Sequence, residues 1–277
     1  MARIIVFLSI CLICKTLSLK ASYFTDTTQI QLQLIKTIEG KYSNFYIDNL
    51  GNLFLVTPTQ QIKKYSINLD SVGIFNDVKR FGNMDLLDVS NPLKVLVYYK
   101  NFANIIVLDR QLNSRNTIYL RQQNLFQVST IAQSYDNNIW IFDEVNYRLK
   151  KIDETGKLLF ESADFRFVFN NQTVAPNTII DNNGFLYLYH PTQGFMVFDY
   201  YGAFKTQYPL YNWQHVQVVD NWLLGNDDKY FYRYQSKQQQ FNVLKPNISL
   251  SNVQKIAWLQ KNCYMLTAKG LLIYKLL

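Results

Sequence analysis

Apolar and polar side chains alternate in short runs along this chain, and Asp, Asn and Gly divide the runs. In "DNNGFLYLYHPTQGFMVFDYYGAF", residues 181 to 204, an Asp-Asn-Asn-Gly turn leads into one alternating stretch, a loop leads into a second, and a further turn follows. Alternation with period two places successive side chains on opposite faces of a strand. Asp, Asn and Gly suit the bends because they tolerate the positive φ of tight hairpins, and Asx side chains cap their own backbone. Helical spacing is absent over any window of about a dozen residues, so a parallel α/β arrangement is disfavoured.

The passage has counterparts. "DNLGNLFLV" from Asp48, "NPLKVLVYY" from Asn91, "DNNIWIFD" from Asp136, "DNNGFLYLYH" from Asp181, "DNWLLGN" from Asp220 and "KNCYMLT" from Lys261 begin 39 to 45 residues apart. That is the period of a propeller blade. Each unit reads strand, turn, strand, loop, strand, tight turn, strand. In the third, "STIAQSY", "IWIFD", "YRLKKID" and "LLFESAD" are the strands and "ETGK" is the last turn. Alternation in strands such as "LKKI" and "FMVF" gives one side chain in each pair to a neighbouring blade. The sixth unit stops one strand short after "GLLIYKLL", while "IQLQLIKTIEG", residues 30 to 40, precedes the first. Pairing these ends completes the last blade and removes an exposed edge. The expected fold is all-β: a six-bladed β-propeller of four-stranded antiparallel blades, its ring closed by the N-terminal strand pairing with the C-terminal strands.

"DEVNYRLKKIDETGKLL", residues 143 to 159, resembles the NHL-type repeat, in which an Asn-x-Arg-Ile/Val segment follows an acidic loop and ends in Asp-x-x-Gly-Lys. "FDYYGAF", residues 198 to 204, matches the same turn, and the units at Asp48 and Asp181 match its Asp-x-x-Gly opening. The chain thus resembles NHL-repeat and TolB-like six-bladed propellers over residues 30 to 277, with the specific motifs confined to blades one, three and four. Blade five has a shortened hairpin, blade six lacks the Asp-x-x-Gly, and only 10 glycines are present. The resemblance implies either a binding scaffold or a metal-dependent lyase or lactonase with its site in the central channel.

Composition agrees with sheet: 48% of residues are hydrophobic, and Tyr and Phe, strand-favouring aromatics, number 20 and 19. The N-terminus, "MARIIVFLSICLICKTLSLKAS", has the layout of a secretory signal, with cleavage expected after Ala21. Its apolar run is too short to span a bilayer and Lys15 interrupts it. Bulky Ile10 before Cys11 disfavours lipidation. The expected division is a signal peptide over 1–21 and one propeller domain over 22–277. Removing the signal takes three cations and no acid, lowering the formal charge from +8 to +5. That is too weak and too scattered for phosphate tracking, so no nucleic-acid partner is expected. Cys263 is then the single remaining thiol, a buried hydrophobe with no disulfide partner and no zinc site.

The mouth of a propeller channel is formed by loops between second and third strands and by the linkers joining blades. Here those positions include Lys100 and Asn101, Asp143 to Tyr147, His190 to Gly194, Asp227 and Asp228, with linkers around Arg80, Arg121, Asn170 and 208 to 215. His190 reads as a hydrogen-bonded loop histidine and His215 as a linker histidine; two histidines are few for a channel metal. Asp85 and Asp88 fall three apart on a strand and point to opposite faces. Trp140 and Trp258 read as packing between blades. Trp213, with Tyr208 and Tyr211, lies in a linker where exposed aromatics grip a sugar or peptide. Two sequons, Asn171 and Asn247, fall in expected linkers. Nucleophile, phosphate-loop and zinc motifs are absent.

The functional expectation is an exported, non-catalytic scaffold, periplasmic, envelope-associated or secreted. It binds a protein, peptide or glycan through Lys100, Asp143, Tyr147, His190, Tyr211 and Trp213, without cofactor or metal, as a monomer or part of an envelope assembly.

Overall fold

A computed structural model describes residues 27–170, 173 and 175–277. The expected signal segment and the sequon residue Asn171 lie outside them. The described chain opens with strands β1 (Thr27–Ile30) and β2 (Leu32–Glu39). Blade I follows as β3 (Asn44–Ile47), β4 (Leu53–Val56), β5 (Ile62–Tyr65) and β6 (Ser71–Phe75). Blade II is β7 (Leu86–Asn91), β8 (Lys94–Tyr99), β9 (Asn104–Asp109) and β10 (Ser114–Tyr119). Blade III is β11 (Val128–Gln133), β12 (Ile139–Asp143), β13 (Arg148–Ile152) and β14 (Leu158–Glu161). Blade IV is β15 (Thr178–Asn182), β16 (Phe185–His190), β17 (Gly194–Asp199) and β18 (Phe204–Tyr208). Blade V is β19 (Gln214–Val219), β20 (Trp222–Asn226), β21 (Phe231–Gln235) and β22 (Gln240–Pro246). β23 (Lys255–Leu259), β24 (Asn262–Thr267) and β25 (Gly270–Leu276) make three strands of blade VI, and β2 is the fourth.

The first strands of successive blades touch in a closed cycle, β3 to β7, β11, β15, β19, β23 and back to β3, so they line the channel. Each blade is a meander, which puts its first and third turns at one end of the disc and its middle loop at the other. We call these ends the turn face and the linker face, the latter because the connections between blades also lie there. Those connections hold two single α-helical turns, α1 (Val78–Phe81) and α2 (Phe165–Val168), and a 3-10 turn at Leu120–Gln123, all too short for helical periodicity to register in sequence.

Alternation sorts side chains between two neighbours. On β12, Ile139 and Ile141 enter the core shared with blade II, whereas Trp140 and Phe142 enter the core shared with blade IV. Hence β4, β8 and β12 are buried along their whole length, while outer strands such as β14 are mostly exposed. Each fully buried large side chain contributes about 1.5–3 kcal/mol, and in every blade interface this burial is the main cohesive force.

The turns follow the Asx logic. Asp48 Oδ1 accepts from the backbone N–H groups of Leu50 and Asn52 at 3.0 and 2.8 Å. Asp109, Asp153 and Asp199 each accept from backbone N–H groups two and four residues on. In blade I the Ser66 hydroxyl takes the same two bonds. Where blades V and VI lack the Asp-x-x-Gly, Asp220 and Gln260 supply the positive φ, at 52° and 54°.

Ring closure is as expected: β2 pairs antiparallel with β25 from Leu32–Leu276 to Glu39–Gly270. The sequence did not predict β1, which runs parallel to β22 at the rim of blade V, Thr27 facing Val243 and Ile30 facing Pro246. Asn247 links the two pairings, accepting from Leu32 N–H at 2.8 Å and donating to Leu32 O at 3.3 Å.

Candidate functional site

At the linker face the carboxylates are committed to the loops themselves. Asp143, 1% exposed, accepts from the Val145 N–H and the Asn146 amide and pairs with Lys150 Nζ at 2.9 Å. Burial alone would raise its pKa; hydrogen bonds from Lys150 and Asn146 outweigh burial and lower it. Asp227 is likewise lowered: burial opposes, but the Tyr232 hydroxyl and the Lys229 and Tyr230 N–H groups hold the anion. Lys100 lies in a turn after β8, with Nζ 3.3 Å from Glu144 Oε1 across the blade II–III boundary. Tyr147, at φ 50°, has the Arg166 guanidinium 5.3 Å from its ring centroid. His190 Nδ1 is 2.9 Å from Thr192 Oγ1. The Asn212 N–H donates to Pro191 O at 2.8 Å, which lays the linker carrying Tyr211 over the His190 loop.

Trp213 corrects an expectation. It is 7% exposed, stacked on Tyr232 at 5.5 Å and 14°, with Phe241 and Phe195 around it. Its backbone N–H donates to Tyr189 Oη at 2.6 Å. Trp213 therefore closes the blade IV–V interface, because an indole beside three rings gains more from burial than from solvent. What the linker face does expose is Phe102, Phe126, Val145, Phe167 and Tyr211, from 46% to 81%. In a chain so rich in Phe and Tyr, nothing local marks the first, second and fourth as the outward-facing ones.

The channel holds a cavity of about 560 Å³ lined by first strands. Lys255 enters it from β23; its Nζ donates to Asn44 Oδ1 at 2.8 Å and lies 3.5 Å from the Tyr46 ring centroid. Burial pulls its pKa down to about 7. His215 has Nδ1 3.0 Å from Asn226 Oδ1 and Nε2 3.1 Å from Gln254 O, and burial lowers its pKa as well. Asp88 Oδ1 accepts from Ser90 N–H, and its Oδ2 accepts from Gln133 N–H at 2.7 Å, tying blade II to blade III. Asp85 accepts from Lys100 N–H at 2.7 Å. Among the described residues no three or more His, Cys, Asp or Glu are grouped to hold a metal ion. No helix among the described residues is long and apolar enough to cross a membrane.

The turn face carries a second cavity, about 600 Å³, between the first turns of blades I to IV. Asn49, Asn91, Gln133, Asn182, Tyr135 and Tyr200 are among its lining. Tyr135 and Tyr200 stack at 4.5 Å with ring planes 7° apart. Asp181 holds both: Oδ2 accepts from Tyr135 N–H at 3.2 Å and Trp140 Nε1–H at 3.0 Å, and Oδ1 accepts from the Tyr200 hydroxyl. Burial first, then Asp181, raises the Tyr200 pKa, which keeps that phenol protonated as donor. The residues expected from the sequence lie on the linker face at the opposite end of the disc; the Asp-Asn-Asn-Gly turn is the sequence signal that accompanies this second cavity.

No protein-family model matches the chain, and no curated protein matches it in sequence. Solved structures do resemble it. A streptogramin B lyase is 14% identical with a TM-score of 0.59, covering 84% of this chain and 78% of its own. Virginiamycin B lyase from Staphylococcus aureus is 13% identical with a TM-score of 0.58 over the same shares. The WD40 domain of Neurospora crassa Pan2 is 11% identical with a TM-score of 0.56, covering 91% of this chain and 97% of that domain. Six blades closed in a ring make the chain a six-bladed β-propeller, and its likeness to these lyases and this WD40 domain is one of fold.

Proposed function

We propose that this chain is an exported, non-catalytic propeller whose linker face docks a protein or peptide. The carrying observation is the set of exposed apolar side chains on that face, Phe102, Phe126, Val145 and Phe167 from blades II and III and the linkers around them, and Tyr211 from the linker between blades IV and V. Apolar groups on this face, bordered by charges such as Lys100 and Glu144, have the composition of a docking surface. The acids that a propeller enzyme would need nearby, Asp143 and Asp227, are spent holding loops. Export is supported by the apolar run and Ala21 boundary at the N-terminus, and NHL-type kinship by the Asp153 turn motif.

The test is crosslinking in the native source with wild type and with a Phe102→Ser/Phe126→Ser/Phe167→Ser variant. One discrete partner lost in the variant, with its melting temperature unchanged, supports docking; an identical crosslink pattern overturns it. N-terminal sequencing of the exported protein is expected to begin at Ser22. The lyase or lactonase reading is checked by elemental analysis, where stoichiometric metal in the purified protein would displace the scaffold proposal.

A further inference from the structure

We infer that the turn-face cavity is a saccharide-binding site, with Tyr135 as its stacking platform. This site is independent of the linker face. Tyr135 is 66% exposed although Tyr200 covers one side of its ring, so the other side is open to the cavity region. The ring is not free to turn away. Its backbone is pinned to Asp181, its stacking partner is pinned to the same carboxylate, and the Gly184 N–H donates to Tyr200 Oη at 3.3 Å. A flat, pre-positioned aromatic ring matches the C–H face of a pyranose, and rigid rings lose little freedom on binding.

The rim supplies the complementary polar chemistry. Asn49, Asn91, Asn182 and Gln133 contribute amides to the lining; Asn91 is tied to Asn137 and Leu93, and the Asn182 and Gln133 NH2 groups donate to Asp220 O and Asn138 O, which leaves the Asn49 amide and Asn182 Oδ1 for sugar hydroxyls. Gln133 Oε1, on a side chain 5% exposed in total, has no hydrogen-bond partner within the protein, and a buried acceptor left unmatched costs about 1–3 kcal/mol. No Lys or Arg lines the cavity, and its one carboxylate, Asp181, already accepts from three donors. The cation beside the platform, Lys151 Nζ at 5.1 Å from the Tyr135 ring centroid, is already paired with Asp136 at 2.8 Å, so an acidic ligand would have to compete for it, whereas a neutral polyhydroxyl ligand needs no counter-charge. The volume, about 600 Å³, falls in the range of small-molecule sites.

The experiment is titration of the full chain with cello-, malto- and chito-oligosaccharides, read by tyrosine fluorescence and calorimetry, with adenosine as a second probe. At least one saccharide is expected to bind at millimolar concentration or tighter. Tyr135→Ala is expected to weaken it about tenfold, in line with ring-stacking energies, and Tyr135→Trp to preserve it. Tyr201→Ala removes an 88% exposed ring outside the cavity lining and is expected to change nothing. Saccharide binding indifferent to Tyr135→Ala, adenosine binding without saccharide binding, or no binding in the panel by a protein of unchanged melting temperature would each overturn the assignment. The linker-face triple variant is expected to keep saccharide binding, so failure of docking and failure of this site are separately visible.

Discussion

Single residues here show how burial and hydrogen bonding set charge. Lys255 loses its proton at about 7 in the folded protein, against 10.5 for the free side chain, because its amine is buried beside Tyr46. Between those values the unfolded chain holds the extra proton, so stability contributed at this position rises with pH and is least favourable below about 7. Tyr46, Tyr98, Tyr200 and Tyr232, all with raised pKa, act in the opposite sense once unfolded tyrosine ionises above about 10. Lys255→Met is therefore expected to be more stable than wild type near neutrality, with the gap in melting temperature narrowing toward about pH 9.5. A gap that stays constant over thermal melts in that range would mean the amine titrates as it does in water. At the acid end, burial opposes but Lys151, Ser134 and Asn138 hold Asp136 as an anion down to about 2. The advantage of wild type over Asp136→Asn should persist above the ordinary value of 3.8 and close by about 2. Legibility at this scale followed locality. The turn roles of Asp48, Asp153 and Asp199 could be read because the hydrogen bonds close within four residues. The burial of Trp213 could not, because Tyr232 and Phe241, which cover it, come from the third and fourth strands of blade V, 19 and 28 positions further on.

Elements fail or hold at blade interfaces. The indole of Trp213 lies against Gly225 of β20 so tightly that a Cβ there would sit 2.7 Å from a ring carbon. Gly225 is not at positive φ, so its requirement is space rather than backbone freedom. Gly225→Ala is expected to cost about 1–3 kcal/mol by overpacking, and Trp213→Ala about 3–5 kcal/mol by leaving a void. Urea titrations of the two single variants and the double would show strong non-additivity, since the alanine methyl would occupy space the indole vacates. Gly194, at φ 74° with the Tyr208 carbonyl oxygen 2.2 Å from any Cβ, combines both constraints at the start of β17. Strand positions were legible because alternation is a local period, and it mapped onto the two neighbours of each middle strand. The four-residue helices α1 and α2 were not, since one turn has too few residues to show a period and each is stabilised by its surroundings, such as Phe165 stacked on Phe198 at 4.6 Å. The turn-face cavity stayed hidden for a related reason: Tyr135 and Tyr200, 65 positions apart, meet only in the folded ring, by stacking and through Asp181, a residue whose turn motif already explained its presence.

At the scale of the molecule, closure carries the stability. β2 belongs to blade VI only through β25, and its first residue is held by Asn247 of the segment after β22. Removing residues 271–277 would expose an unpaired edge on β24 and release β2 together, so the truncated protein is expected to melt at a lower temperature and with a smaller m-value. A truncated chain with the parent's melting curve would show that the ring does not depend on that seam. Asn247→Ala loses two hydrogen bonds to Leu32 and is expected to cost about 1–2 kcal/mol, visible as faster amide exchange in β1 and β2 before the other blades. The sixfold repeat made this closure legible, because a blade one strand short demands a donor. The parallel β1–β22 pair lay beyond reach, since a four-residue strand at a rim leaves no periodic trace.

The same seam brings the C-terminus to within four residues of the start of the described chain: Leu277 N–H donates to Gln31 O at 3.1 Å. A short peptide joining the two ends would give a covalent circle, and the chain could then be cut open at another interblade linker. Such a rewired protein would keep the seam's hydrogen bonds and add a covalent link across it, moving the place where the disc first comes apart from blade VI to wherever the new opening is made.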